Sequence, residues 1–169
     1  MSETPLLFLD MDGVLNSAAF FKVSSKRQYR RARGRGKAQA RLGLARWVDQ
    51  IDPVAVERLN EIVRRATPDI VVSSSWRKAF TLEEIAAVLG ARGFVGQLRG
   101  ATPSLGDVER GEEIAVWLLD RPAGYRRFAI LDDADDMGAL SGHLVQTSFE
   151  RGLENQHVEQ VLVLLAPGR

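Results

Sequence analysis

Two aspartates, Asp10 and Asp12, stand two residues apart in the stretch L-L-F-L-D-M-D-G-V-L-N-S, after an apolar run and directly before a glycine. Like charges at the end of a buried strand are costly unless a cation or hydrogen-bond donors offset them, so the pair reads as a binding site. A second acidic pair, Asp132 and Asp133, closes the run F-A-I-L-D-D, with Asp136 shortly after. Asp10, Asp12, Asp132 and Asp133 offer oxygen without imidazole or thiolate, a donor set for a hard cation such as Mg²⁺ rather than for zinc. A carboxylate beside bound Mg²⁺ can attack a phosphoryl group and form an aspartyl phosphate, splitting one hard displacement into two easier ones. A second carboxylate nearby could protonate the leaving oxygen and later activate water.

Such chemistry needs elements that bring distant residues to one place. Leu6–Leu9 is short, apolar and bounded by Pro5, as expected of a buried parallel strand. Ile70-Val71-Val72 is a second such run, stopped by Ser73, Ser74 and Ser75. Phe128–Leu131 is a third, ending in the acids, and Leu144–Thr147 a fourth. Between them, Asp52-Pro53 caps a helix whose inner face is Val56, Leu59, Ile62, Val63 and Ala66. Thr81 and Glu84 have capping-box spacing and open a helix through about Leu89. A further helix is expected over roughly Val108–Leu119, with Val108, Ile114, Ala115, Leu118 and Leu119 inward, and a closing one carries Val158, Val161, Leu162 and Leu165. The alternation implies an α/β fold, a doubly wound, Rossmann-like, mostly parallel sheet with helices on both faces. Ligands of such sheets sit beyond the carboxyl ends of the strands. Three polar clusters each follow a strand directly: Asp10/Asp12, Ser73–Ser75 and Asp132/Asp133. All should therefore meet at one edge. Alone, the serine run reads as a strand-to-helix turn; its register with the acids makes it a candidate phosphate site.

The 169 residues suit one domain able to bury roughly two-thirds of its unfolded surface. The absence of cysteine excludes disulfides, thiolate metal sites and cysteine nucleophiles. No apolar run approaches the ~20 residues of a membrane span, and the N-terminus lacks a charged region ahead of Leu6, so the expectation is a soluble, cytoplasmic protein without a membrane partner. The net charge of +1 hides an asymmetry, because residues 13–48 hold ten Lys/Arg and no Asp/Glu. Charge of that density can steer phosphate esters or nucleic acid, although a solvated, partly disordered loop is the plainer reading.

The motif D-M-D-G-V-L-N after a strand resembles the signature of the haloacid dehalogenase-like (HAD) phosphatases. More narrowly, L-D-M-D-G-V-L-N, V-V-S-S-S-W-R, R-G-E-E-I-x-x-W-L and I-L-D-D-x-x-D-M together resemble the small HAD domains of bacterial and phage RNA-repair proteins, from Leu6 to about Leu165. The resemblance implies a single HAD-like domain over 1–169, a Mg²⁺ cofactor, Asp10 as nucleophile and Asp12 as general acid/base. It implies a phosphoryl-binding serine within 73–75, Ser74 by preference, and a basic residue to neutralise the phosphoryl charge. Arg110 matches that place best, and Lys78 is its competitor. Asp132 and Asp133, with Asp10 and Asp12, are the metal candidates, and Asp136 is a further one. Arg77 reads equally as a phosphate ligand or an ion-pair partner.

The basic insertion at about 17–47 falls where members of this superfamily insert a substrate-selecting cap, so Arg30, Arg31, Arg33, Arg35 and Lys37 become candidates for contact with a polyanion. The expected activity is that of a Mg²⁺-dependent phosphatase or phosphotransferase, with phosphorylated RNA or DNA ends as the favoured substrate and small phosphate esters as the alternative. The rival from another class is a nucleic-acid-binding or adaptor protein that keeps the fold with little turnover; protein partners are not legible. Trp47, Trp76 and Trp117 read as packing anchors, His143 and His157 as ordinary surface or satisfied histidines, and Asp135 as a solvated turn residue.

Overall fold

The computed structural model describes residues 4–24, 43–120 and 127–167. Five parallel strands form one sheet in the order β3-β2-β1-β4-β5: β1 (Leu6–Leu9), β2 (Asp69–Val72), β3 (Leu98–Ala101), β4 (Phe128–Asp132) and β5 (Leu144–Gln146). Helical backbone over 18–24 (α1) is followed by α2 (Ala45–Val48), α3 (Pro53–Ala66), α4 (Leu82–Gly90), α5 (Arg110–Leu119) and α6 (Asn155–Leu165). No helix among the described residues is long and apolar enough to cross a membrane.

Alternation along the strands divides the core into two layers. Leu7, Leu9, Ile70, Val72, Ala129, Leu131 and Val145 point to the face covered by α3, α4 and α6. Leu6, Phe8, Val71, Phe128 and Ile130 point to the other, where Ile114 and Trp117 of α5 close over them. Phe8 meets Trp117 edge-on, with ring centroids 5.5 Å apart. The helices begin where local chemistry favours them: Asp52 accepts the Val54 N–H ahead of α3, and Thr81 with Glu84 completes a capping box on α4.

Two expectations need correction. The strand β3 was not anticipated, since L-R-G-A carries a charge and a glycine, which an edge strand tolerates and an apolar-run search passes over. The helix expected from Val108 starts at Arg110; Val108 is 37% and Leu119 83% exposed, while Gly111, Glu113, Ile114 and Trp117 form the buried face. His157, by contrast, matches the satisfied histidine that is one of its two readings: it is buried and accepts the Glu154 N–H at the start of α6. Most of the basic insertion, including Arg30, Arg31, Arg33, Arg35 and Lys37, lies outside the described residues.

Register places the polar clusters. Leu9 pairs with Val72 on one side and Leu131 on the other, so the next residues, Asp10, Ser73 and Asp132, come level at the carboxyl edge. The ladder continues there, through Asp10 N–H to the Leu131 carbonyl and Ser73 N–H to the Leu9 carbonyl, both 3.0 Å.

Candidate active site

Past β1 the chain turns at Gly13, whose φ of +74° is left-handed and whose N–H donates to Asn16 Oδ1 at 2.9 Å. A Cβ at this position would also collide with the Asp133 carboxylate. The tight turn thus brings the first and last acidic motifs into contact. One carboxylate oxygen each of Asp10, Asp132 and Asp133 lies within 4.8 Å of the others.

Arg110, the first residue of α5, reaches into this group. Its Nη1 lies 3.0 Å from Asp10 Oδ1, 3.3 Å from Asp132 Oδ2 and 2.7 Å from the Ser73 carbonyl. Burial pulls against the charge on its guanidinium, but Asp10 and Asp132 outweigh that and hold its pKa up. Burial raises Asp10 despite Arg110 and a hydrogen bond from the Ser74 hydroxyl. Asp132, buried and beside the charge of Asp10, is pushed up to about 7, and burial with the same neighbour raises Asp133. One guanidinium does not balance three carboxylates. Asp132 Oδ2 is buried with no hydrogen-bond partner among the described residues. An all-oxygen cluster with surplus negative charge, and a buried acceptor that has an ion-pair contact with Arg110 but no hydrogen bond, fits a divalent cation, which Asp10, Asp132 and Asp133 would hold.

Asp12 is not one of the three grouped carboxylates, although its charge is felt at Asp133. Its Oδ1 accepts from Asn16 Nδ2 at 2.7 Å and its Oδ2 from the Trp76 indole Nε1 at 3.1 Å. Asp136 also stands outside the cluster: its Oδ2 accepts the Arg110 backbone N–H at 3.1 Å, and its carbonyl accepts the Gly111 N–H at 3.0 Å. Through Oδ2 and its carbonyl Asp136 tethers the start of α5, and with it Arg110, while its Oδ1 is buried without a hydrogen-bond partner among the described residues.

Among the serines, Ser73 and Ser74 are buried at the site, while Ser75 is exposed. Ser74 also caps the short 3₁₀ turn Ser75–Lys78, accepting the Trp76 N–H. Lys78 is exposed. Arg77 is a buried partner of Glu113, the two side chains being 6% and 7% exposed. Its other donors fan onto the carbonyls of Ser73, Ser74, Thr102 and Pro103. With its donors so engaged, Arg77 ties the ends of β2 and β3 to α5 and shapes the serine turn. Sequence reasoning had no signal for this fan, because its acceptors are backbone carbonyls. It passed over Asn16 and the donor role of Trp76 as well, although a buried indole N–H next to a carboxylate-rich site needs an acceptor. A cavity of about 570 Å³, bordered by Pro5, Thr67, Arg127 and Leu165, opens at the amino ends of the strands, remote from these groups.

A parallel sheet with helices on both faces, carrying an acidic cluster and a guanidinium at its carboxyl edge, defines the architecture of a HAD-type α/β domain. Residues 6–158 match the family described as the HAD domain in Swiss Army Knife RNA repair proteins, and the chain belongs to that family. Neither the comparison with curated proteins nor that with solved structures returned a significant match. Family membership supports a phosphatase-like function for the domain.

Proposed function

We propose that the protein is a Mg²⁺-dependent phosphatase that works through an aspartyl phosphate on Asp10 and acts on phosphorylated nucleic-acid ends. The observation that carries this reading is the position of Asp10: a carboxylate at the end of the central strand, faced by Arg110 at 3.0 Å and grouped with Asp132 and Asp133. Bound Mg²⁺ would supply charge neutralisation for the phosphoryl group and the carboxylates.

In the first step an Asp10 oxygen attacks phosphorus, the bond from phosphorus to the ester oxygen breaks, and Asp12 gives its proton to that oxygen. In the second step water attacks phosphorus, Asp12 takes the water proton, and Asp10 is released with inorganic phosphate. Arg110 and Ser74 hold phosphoryl oxygens in line with the nucleophile, and positioning of this kind is what phosphoryl transfer demands. Arg30, Arg31, Arg33, Arg35 and Lys37 of the basic insertion would select a polyanionic substrate. The family's RNA-repair context supports a nucleic-acid end over a small ester.

The test is phosphate release with Mg²⁺ from 5′- and 3′-phosphorylated RNA and DNA oligonucleotides, run beside sugar phosphates and nucleotides. Release from an oligonucleotide end, lost in Asp10→Asn, is expected. Preference for a small ester would overturn the substrate assignment. No release from any compound would leave a binding or adaptor protein.

A further inference from the structure

Asp12 has both carboxylate oxygens engaged before any substrate arrives. Asn16 Nδ2 donates to one at 2.7 Å and Trp76 Nε1 to the other at 3.1 Å. A carboxylate offers about four lone-pair sites, so each oxygen keeps one for a proton or a leaving group. Two donors at opposite oxygens fix the plane of the group and leave it no free rotation. The donors are themselves fixed. Asn16 is buried, and its Oδ1 accepts the Gly13 N–H of the turn that follows β1. Trp76 is buried and wedged between Trp47, at 5.3 Å between ring centroids, and Phe80, at 5.6 Å. Its backbone N–H is bound by Ser74 Oγ, so the same short turn carries a residue beside Asp10 and the donor that holds Asp12.

We infer that Trp76, with Asn16, is a positioning residue that aims the Asp12 carboxylate at the leaving oxygen, making the aromatic cluster of Trp47, Trp76 and Phe80 part of the catalytic apparatus rather than packing alone. The inference rests on the proposed role of Asp12 as the proton donor. Mobile carboxylates lose proton-transfer efficiency because the reacting geometry is visited less often.

Trp76→Phe removes the N–H and keeps a ring against Trp47 and Phe80. Its kcat/KM, which reports transfer to Asp10, should fall roughly tenfold on an alkyl phosphate, whose alkoxide must be protonated as it leaves, a fraction of what a general acid contributes. On p-nitrophenyl phosphate, whose leaving group departs without that help, the fall should be under about threefold. Equal losses on both esters would mean a structural role, and no loss would mean no role; either overturns the inference. A second measurement needs no turnover. In the ¹⁵N-labelled protein the indole N–H signal of Trp76, assigned by its disappearance in Trp76→Phe or, if that variant does not fold, by elimination in Trp47→Phe and Trp117→Phe, should move upfield and exchange faster in Asp12→Ala. An indole signal indifferent to Asp12→Ala overturns the contact itself. If the wild type releases phosphate neither from these esters nor from a phosphorylated oligonucleotide, the proposed function fails, and the indole signal alone decides whether Trp76 holds Asp12.

Discussion

Gly111 lies so close to the backbone of Met137 that a Cβ on it would overlap the Met137 carbonyl. The contact joins the first turn of α5 to the loop after β4, where the Gly111 N–H donates to the Asp136 carbonyl and the Arg110 N–H to the Asp136 carboxylate. Arg110 therefore reaches Asp10 and Asp132 from a backbone clamped at two successive residues.

The clamp predicts an inverted sign for Gly111→Ala. In an ordinary helix the substitution would stabilise by about 0.5–1 kcal/mol. Here the overlap with Met137 should destabilise by about 1–3 kcal/mol, as overpacking does. The shift of α5 should also carry Arg110 off Asp10 and lower kcat/KM. Chemical denaturation measures the first effect; a variant more stable than wild type would show that the close approach does not exist in solution.

Asp10→Asn should reduce turnover to background while the protein stays folded, because an amide is nearly isosteric with a carboxylate and is a very poor nucleophile. Phosphate release in a contamination-controlled assay checks this. Wild-type release from Asp10→Asn would remove the aspartyl phosphate from the mechanism.

The carboxylate cluster makes stability depend on pH in a direction opposite to that of most paired acids. Burial and the neighbouring Asp10 lift Asp132 from 3.8 to about 7. Between those values the native state keeps a proton that the unfolded chain has lost, so without metal stability falls as pH rises, and the loss is complete above about pH 7. Asp10 and Asp133, also raised, act in the same direction. Mg²⁺ competes with those protons. Thermal unfolding should therefore show a larger gain from Mg²⁺ at pH 8 than at pH 5.5, measured against EDTA controls. An equal gain at both pH values would place the cation elsewhere.

The fold was largely legible because each central strand is a short apolar run that ends abruptly in acids or serines, and α3 and α4 carry their own caps. The misses have physical causes. The strand β3 contains Arg99 and Gly100, which an edge position accepts and a hydrophobic pattern does not reveal. Asp12 finds Trp76 across 64 residues of sequence, and only the register of β1 and β2 brings the two turns together. Arg77 reads equally as a phosphate ligand or a surface ion-pair partner, and its pairing is with Glu113 and backbone carbonyls in the interior, which no local pattern reveals. Asp136 sits in an acidic motif and serves a helix start, a distinction that composition does not contain.

The remaining prediction concerns the basic insertion. Neutralising Arg30, Arg31, Arg33, Arg35 and Lys37 together should weaken binding to a phosphorylated oligonucleotide and flatten its salt dependence, because each phosphate contact releases counterions. If all five make such contacts to a single strand, the slope of log K against log salt should fall by about 3.5, from about 0.7 per contact. Turnover of p-nitrophenyl phosphate should change little, since Asp10, Asp12, Ser74, Arg110, Asp132 and Asp133 all lie outside that segment and are held by the sheet edge and α5. Selection and chemistry would then be separable, the insertion governing which phosphate arrives and the carboxylate cluster what happens to it. Identical affinities and slopes for wild type and the five-site variant would make the basic run a solvated loop and withdraw the electrostatic support for a nucleic-acid substrate.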